Sequence, residues 1–412
     1  MEYGCIGEKL GHSFSKEIHA RLADYQYELK ELERAEVPAF MSKADFKAIN
    51  VTIPYKETVI PFLDEIDDAA KAIGAVNTVV KRDGRLYGYN TDFAGMSALL
   101  CKSGIALENK KVLILGSGGT SKTALAVAKA QRATEILKVS RGSADDCITY
   151  EQAICEHNDA EVIINTTPVG MFPDINGAAI DLEYFKNLCG VADAVYNPLN
   201  SMLVQKAKER GIPAAGGLYM LVMQAAYAVQ HFIGEEISFE KCENCYEDIL
   251  KSKKNIVLIG MPSSGKSTLG EKIAKELQMD FVDSDTEIVK QAGCSIPEIF
   301  ASKGEKYFRE LETKVIERLS AKQHTVIATG SGAILKEENV RLLRANSTLI
   351  FIDRPLEQLI TTDDRPLSND RQKLERLFAE RYEKYVTAAD ISVDCSKDIQ
   401  TNVAKIIEEI SK

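Results

Sequence analysis

Apolar and polar positions along the chain set out the same strand, turn and helix pattern twice. Lys111-Val-Leu-Ile-Leu-Gly116 is a nearly unbroken apolar run of single-strand length, and Asn255-Ile-Val-Leu-Ile-Gly260 is a second. Each opens into a glycine- and serine-rich turn and then into a segment with apolar residues at helical spacing, TALAVAKA in one case and STLGEKIAKEL in the other. A continuous apolar run is what a strand covered on both faces needs, so each pattern predicts the entry unit of a doubly wound α/β domain. Some 100 residues precede the first unit, too many for a tail and enough for a small domain. The charged stretch 240–254 ends in Lys-Ser-Lys-Lys-Asn just before the second unit and reads as a linker with a helical start. No short repeat or low-complexity tract interrupts this plan.

Composition narrows the choice of partner. The 412 residues are 45% hydrophobic and 27% charged, an ordinary globular balance for two or three domains. A formal net charge of −10 repels a nucleic-acid backbone, although it leaves room for small anions held by local donors. No apolar run has membrane-spanning length, and Met1 leads into Glu-Tyr-Gly-Cys without a basic and then apolar leader, so a cytoplasmic protein is expected. Nine scattered cysteines are poor material for a disulfide framework and fit a reducing compartment. Cys242 and Cys245 form a CxxC with no second ligand pair at metal spacing, and read as a surface pair. The five histidines are far apart in sequence and predict no metal site.

The most specific signal is Gly260-Met-Pro-Ser-Ser-Gly265-Lys266-Ser267, a G-x-x-x-x-G-K-[ST] loop between an apolar strand and a helix. Its backbone N–H groups are suited to cradle phosphate oxygens, with Thr268 following in the first helical turn. Lys266 would sit on the β and γ phosphates of ATP, and the Ser267 hydroxyl would ligate Mg2+. Phe281-Val-Asp283-Ser-Asp285 reads as a strand delivering two carboxylates from alternate positions and hence to one side. Asp283 would hold the metal, and Asp285 would accept the proton of an attacking hydroxyl. Arg309, in Gly304-Glu-Lys-Tyr-Phe308-Arg309-Glu-Leu-Glu312, and the turn Gly330-Ser331-Gly332 after the strand TVIAT together suit a carboxylate clamp. Taken alone, Arg309 reads as a surface ion-pair residue.

From about Asn255 to the C-terminus these elements resemble the shikimate kinase family. The shared features are the phosphate loop, the DxD of Asp283 and Asp285, and the FRxxE of Phe308, Arg309 and Glu312. The glycine turn, the lid Arg365-Pro-Leu367, and Arg381 with Tyr385 complete the set. The resemblance implies that Asp285, Arg309, Gly330, Gly332 and Arg381 hold shikimate and that Arg365 closes over the phosphates. Ser331 stands where the family carries a third glycine, and Thr361-Thr-Asp-Asp364 is acidic where a more basic lid is expected.

In the first half, Gly116-Ser-Gly118-Gly119-Thr-Ser-Lys122 is a variant dinucleotide fingerprint. The next strand, EILKVSR, ends in Ser140-Arg141 rather than in an acid, which suits the extra phosphate of NADP(H) over the free ribose of NAD. Lys56 and Asp92 each follow an apolar strand, and an ammonium held by a carboxylate can protonate a carbonyl oxygen that is being reduced. Spacing alone does not separate this pair from two unrelated charges. The segment from Met1 to about Gly234, however, resembles the shikimate dehydrogenases in motif after motif. These are Gly11-His-Ser13-Phe-Ser15 with His19, Asn50 to Lys56, Gly74 to Thr78, Asn90-Thr-Asp92, Asn165 to Met171, Asp193 to Pro198, and Gly217 to Gln224. The resemblance implies that Ser13, Ser15, Thr52, Asn77 and Gln224 bind the substrate and that Lys56 and Asp92 are the catalytic pair. Gly217 joins Gly116, Gly118, Gly119, Ser140 and Arg141 on the cofactor side. Lys16 replaces a proline usual in the first motif.

The expected architecture is α/β throughout. A substrate domain covers 1–100, with 217–239 returning to it, and a Rossmann-type NADP domain covers 101–216. A P-loop domain of the nucleoside-monophosphate-kinase type covers 255–412. The two resemblances together imply reduction of 3-dehydroshikimate with NADPH and then phosphorylation of shikimate by Mg·ATP, with small molecules as partners and monomer or dimer left open. A broader NAD-linked hydroaromatic dehydrogenase is the alternative within the same class, and a ligand-binding regulatory protein with a P-loop switch is the alternative outside it.

Overall fold

Hydrogen-bonded ladders gather the apolar runs into three sheets. The computed structural model describes residues 1–11, 13–142, 146–361 and 370–412, so His12 and the lid residue Arg365 lie outside the described residues. The chain divides into two units, Met1–Leu250 and Lys251–Lys412.

The first sheet contains β1 (Tyr3–Gly7), β2 (Tyr27–Glu31), β3 (Ala48–Val51), β4 (Glu65–Ile66), β5 (Thr78–Arg82) and β6 (Arg85–Tyr89), in the order β2-β1-β3-β5-β6-β4. β1 runs parallel to β2 and β3, whereas β5 is antiparallel to both β3 and β6. The antiparallel hairpin follows from Asp83-Gly84, both at positive φ, which turn the chain between β5 and β6.

The second sheet holds β7 (Lys111–Leu115), β8 (Glu135–Val139), β9 (Cys147–Ile148), β10 (Val162–Asn165), β11 (Gly190–Asp193) and β12 (Ala214–Ala215). All its ladders are parallel, in the order β12-β11-β10-β7-β8-β9. Counted from its own first strand this is 6-5-4-1-2-3, the Rossmann order, with the reversal between β7 and β10. Ligands of such sheets bind beyond the carboxyl ends of the strands at that reversal, which is where Gly116 and Asn165 stand.

The helix Leu218–Ile233 packs on the helices Ser15–Leu22 and Asp92–Lys102 of the first sheet's layer. Its approach depends on Gly95, where a Cβ would fall 2.6 Å from the Met220 carbonyl oxygen and 2.9 Å from Cβ of Gln224.

The stretch 240–254, expected as a linker with a helical start, is helical almost throughout, within the helix Phe239–Lys253. Cys242, Cys245 and Ile249 recur on one face, are buried, and join the core that contains Ile18, Leu22 and Val222. The CxxC is therefore packing rather than surface. The charges misled because they occupy the opposite face of an amphipathic helix. Burial pushes the Cys245 thiol up to about 11, which makes it a poor thiolate.

In the second unit, β13 (Asn255–Ile259), β14 (Asp280–Asp283), β15 (Thr325–Ala328), β16 (Ser347–Asp353) and β17 (Ile391–Asp394) form a parallel sheet ordered β14-β15-β13-β16-β17. The phosphate-loop strand β13 is central and all five of its residues are buried. Among the described residues no helix is long and apolar enough to cross a membrane, and no group of three or more His, Cys, Asp or Glu is placed to hold a metal ion.

Candidate active sites

In the first unit the chain leaves β3 and turns to present Lys56, while Asp92 opens the helix that follows β6. Lys56 Nζ lies 2.5 Å from Asp92 Oδ2, with the two side chains only 12% and 7% exposed. Burial at this level gives the pair a weight that an exposed ion pair lacks. The other carboxylate oxygen is also engaged, since Asn77 Nδ2 donates to Asp92 Oδ1 at 2.9 Å and to Thr91 Oγ1 at 3.0 Å. Asn77 Oδ1 in turn accepts the Thr91 N–H at 2.8 Å, and Gln224 Oε1 lies 3.4 Å from Asn77 Nδ2. Four residues singled out in the sequence, Lys56, Asn77, Asp92 and Gln224, thus share one hydrogen-bonded cluster. Thr91 belongs to the cluster as well. In sequence it was only the middle of an Asn-Thr-Asp motif.

Ser13 and Ser15 bond each other through their hydroxyls at 3.0 Å, and Phe14 between them meets the Tyr196 ring edge-on at 5.2 Å. Thr52 follows β3, and its backbone N–H donates to Ile6 at 3.0 Å. The structure thus sets these three around β1 and β3. The hydrogen bonds described for them do not extend to the Lys56–Asp92 pair.

The dinucleotide turn comes directly against this cluster. A Cβ placed on Gly119 would lie 3.4 Å from Cδ of Lys56, so the turn packs on the lysine stem. Gly118 caps the following helix, Gly119–Ala130. Gly116 has φ +115, and a Cβ there would strike Thr166 Oγ1 at 2.7 Å, so only glycine fits. Thr166 itself donates to the Leu115 carbonyl at 2.6 Å, closing the loop after β10 onto the loop after β7. Below that loop Asp193 accepts from Asn165 and Val195 at 2.9 Å and from Ser201 at 2.5 Å. Burial raises its carboxyl to about 6. Gly217 caps the returning helix against Ala194, whose carbonyl oxygen a Cβ would meet at 2.3 Å. Ser140 follows β8, its N–H held by Ile148 at 3.0 Å. Arg141 is exposed beside Tyr150 and makes no ion pair among the described residues.

In the second unit the phosphate loop runs from Gly260 (φ +152) to Gly265 (φ +93), which caps the helix Lys266–Leu277. Lys266 Nζ donates to the carbonyls of Gly260 and Met261 at 2.9 and 2.8 Å, folding the ammonium across the loop. Ser264 Oγ is buried in the loop with no hydrogen-bond partner among the described residues, an orphan that a phosphate oxygen would satisfy. Ser267 Oγ donates to Asp283 Oδ2 at 2.6 Å, which joins two of the oxygens expected around Mg2+. Both features fit a bound Mg·nucleotide.

Asp283 and Asp285 do not stand at alternate positions of one strand, as the sequence pattern implied. β14 stops at Asp283, whose Oδ1 accepts the N–H groups of Asp285 and Thr286 at 2.9 and 3.2 Å and so starts the helix Ser284–Ala292. The carboxylate that caps the helix outcompetes strand extension. Asp285 therefore projects from the first helical turn toward the glycine turn, where a Cβ on Gly330 would lie 2.6 Å from its Oδ1 and 3.3 Å from Glu312 Oε1. Ser284, unassigned in the sequence, locks the two together by accepting the Gly330 N–H at 2.9 Å.

Arg309 is not the exposed ion-pair residue that it resembles when taken alone. Its side chain is 13% exposed, bonded to Glu312 at 2.8 Å and to Glu305 at 3.2 Å. A Cβ on Gly332 would fall 2.1 Å from its Nη1, so the guanidinium lies flat on the turn. Burial raises the Glu312 carboxyl, and the nearby Asp285 adds to this against the opposing pull of Arg309. Arg381 and Tyr385 reach the Ser331 carbonyl from the helix Arg371–Ala388, at 3.4 and 2.5 Å. Asp285, Arg309, Gly330, Gly332 and Arg381 thus converge on one turn.

A Rossmann sheet with a buried lysine–carboxylate pair at its glycine turn defines a dinucleotide-linked oxidoreductase. A phosphate loop facing a cluster of arginine and carboxylates defines a small-molecule phosphotransferase. Comparison with known proteins gives the families. Residues 5–79 match the shikimate dehydrogenase substrate binding domain, and residues 262–411 match shikimate kinase. A shikimate dehydrogenase (NADP(+)) of Clostridium perfringens is 36% identical over 266 residues, which are 60% of this chain and 97% of that protein. Among solved structures, shikimate dehydrogenase 1 of Peptoclostridium difficile is 31% identical with a TM-score of 0.57, covering 60% of this chain and 98% of that one. The Thermus thermophilus shikimate 5-dehydrogenase in complex with NADP(H) and shikimate is 27% identical with a TM-score of 0.55, covering 60% of this chain and 99% of that one. The chain belongs to the shikimate dehydrogenase family in its first unit and carries a shikimate kinase domain in its second.

Proposed function

We propose that this chain performs two successive reactions of the shikimate route to aromatic compounds, namely reduction of 3-dehydroshikimate to shikimate and phosphorylation of shikimate on its 3-hydroxyl. The observation that carries the reading is the buried Lys56–Asp92 pair pressed against Gly119 of the dinucleotide turn. It sets a proton donor beside the place where a nicotinamide cofactor would lie. NADPH, when bound at Gly116, Gly118, Gly119 and Gly217 with its extra phosphate on Ser140 and Arg141, supplies the hydride. Asn77 and Gln224 orient the substrate beside Asp92, with Ser13, Ser15 and Thr52 holding its far end. The Lys56 ammonium gives its proton to the carbonyl oxygen as that oxygen gains charge, and Asp92 holds the ammonium in place throughout. The exposed Arg141 at the end of β8 favours NADP over NAD.

In the second unit Gly260, Gly265 and Thr268 bind the triphosphate, and Ser267 with Asp283 would hold Mg2+. Arg309 and Arg381, with the turn of Gly330 and Gly332, grip the carboxylate and hydroxyls of shikimate. Asp285 takes the proton of the attacking hydroxyl. The γ-phosphoryl passes to that oxygen while Lys266, and Arg365 from the lid, offset the charge on the phosphates. Free thiols at all nine cysteines are consistent with a cytoplasmic setting. The test is direct. Purified protein given 3-dehydroshikimate, NADPH and Mg·ATP should yield shikimate 3-phosphate with one NADPH oxidised per product. Failure to oxidise NADPH would sink the first assignment, and accumulation of shikimate would sink the second.

A further inference from the structure

β16 lies beside the phosphate-loop strand, with Phe351 opposite Ile259. The residue that follows β16 therefore emerges at the carboxyl edge of the sheet next to the loop 260–265. That residue is Arg354. Its Nη1 is 3.7 Å from the position that a Cβ on Gly265 would take, and the Ile352 carbonyl oxygen is 3.0 Å from the matching position on Gly260. The guanidinium is thus set against the backbone that would cradle the phosphates. Among the described residues, buried Arg354 Nε has no hydrogen-bond partner and the side chain makes no ion pair. The adjacent acid, Asp353, accepts instead from the Tyr382 hydroxyl at 3.0 Å. An arginine with a buried, unmet donor beside an anion cradle is a site short of its anion.

The sequence makes this arginine more consequential. Between Arg354 and Arg365 the chain reads Pro-Leu-Glu-Gln-Leu-Ile-Thr-Thr-Asp-Asp, with no cation at all. Arg354 is therefore the only positive charge that the segment after β16 offers before the lid arginine.

We infer that Arg354 is a nucleotide-binding residue that contacts the phosphate chain of the triphosphate seated on the loop from Gly260 to Gly265. The inference rests on the kinase reading of the second unit. A planar guanidinium binds two phosphate oxygens at once, which an ammonium cannot do, so lysine is an incomplete substitute here.

The test uses the full chain, with Arg354→Ala and Arg354→Lys, in equilibrium competition against a fluorescent ATP analogue. Arg354→Ala should weaken ATP binding about 10-fold and Arg354→Lys about 3-fold, the fold-change expected for one charge-assisted phosphate contact. Adenosine, which lacks phosphates, should bind both variants as it binds the wild type. If Arg354→Ala melts early without ligand, Arg354→Gln, which keeps most of the stem, takes its place with the same expected loss. ATP affinity within twofold of wild type in the alanine or glutamine variant overturns the inference. So does an equal loss for adenosine, which would make the contact one to the base. A wild-type chain that binds no ATP would remove the kinase reading itself, a result distinct from either of these.

Discussion

On the reading proposed above Lys56 and Asp92 are the catalytic pair of the first unit, and their burial makes the expected effect of losing either one large. Lys56→Ala should lower the rate of NADPH-dependent reduction by about 10²–10⁴-fold, the range for a lost general acid, with little change in the affinity for NADPH. Stopped-flow absorbance of NADPH would measure it. Such residues were legible in the sequence because they fall in ordered motifs. The hydrogen bonds that hold them were not, since Gln224 reaches Asn77 only when a helix 147 positions further along folds back. Burial of single polar residues was equally invisible. His19 is fully buried, stacked on Tyr27 with 3.8 Å between ring centroids, and bonded at Nδ1 to the Tyr25 hydroxyl at 2.7 Å. Burial pushes its pKa from 6.5 down to about 3, so the folded protein keeps it neutral while the unfolded chain protonates it below 6.5. This contribution to stability is whole above pH 6.5 and is lost progressively as pH falls toward 3, amounting to about 2 kcal/mol at pH 5. Thermal melts of wild type and His19→Gln, compared from about pH 7.5 down to about pH 5, should show the shallower decline in the variant. Parallel slopes would remove His19 from the acid response.

Contacts between elements decide whether those residues meet, and here glycine positions matter more than motifs. Gly95 sits inside the helix Asp92–Lys102, where propensity alone would make alanine better by about 1 kcal/mol. The Met220 carbonyl oxygen, 2.6 Å from the would-be Cβ, reverses that sign because a backbone atom of a packed helix cannot yield cheaply. Gly95→Ala should therefore destabilise the protein by about 1–3 kcal/mol and also lower dehydrogenase activity, because Gln224 moves with the displaced helix. Denaturant titration and initial rates on one preparation would check both. Gly332 behaves differently. Its φ of −94 suits alanine, and its close neighbour is the tip of Arg309, which can swing away. Gly332→Ala should leave the melting temperature near wild type and raise the KM for shikimate about 10-fold, with the KM for ATP unchanged. Sequence pattern identified the glycine turn of Gly330 and Gly332 but not the helices Asp92–Lys102 and Leu218–Ile233. It read 240–254 as a linker with only a helical start, because lysines and glutamates on the outer face of the helix Phe239–Lys253 masked a stripe of Cys242, Cys245 and Ile249. It also misjudged the strand after Phe281, because a capping carboxylate and a strand carboxylate look alike until the N–H groups beyond Asp283 are counted.

At the scale of the whole molecule, each unit has the parts that a separate catalyst requires: its own sheet or sheets, its own buried core, and its own anion-holding turn. None of the residues assigned to reduction lies beyond Leu250, and none assigned to phosphorylation lies before Lys251. This division was legible in the sequence from the two strand-and-turn units alone, because a buried parallel strand followed by a glycine turn is a local signal that needs no distant partner. It makes the two activities separable by single substitutions. Lys56→Ala should slow NADPH oxidation by the factor given above and leave phosphorylation of added shikimate intact, while Lys266→Ala, which removes the ammonium from the phosphate loop, should do the reverse. Mixing the two variants then gives a sharper outcome. Shikimate made by the Lys266→Ala protein diffuses to the Lys56→Ala protein, so the mixture should convert 3-dehydroshikimate to shikimate 3-phosphate after a lag set by the build-up of free shikimate. Product analysis over time by mass spectrometry would follow both species. A mixture that oxidises NADPH and phosphorylates added shikimate, yet forms no phosphorylated product from 3-dehydroshikimate, would mean that the reduced product is not the kinase substrate.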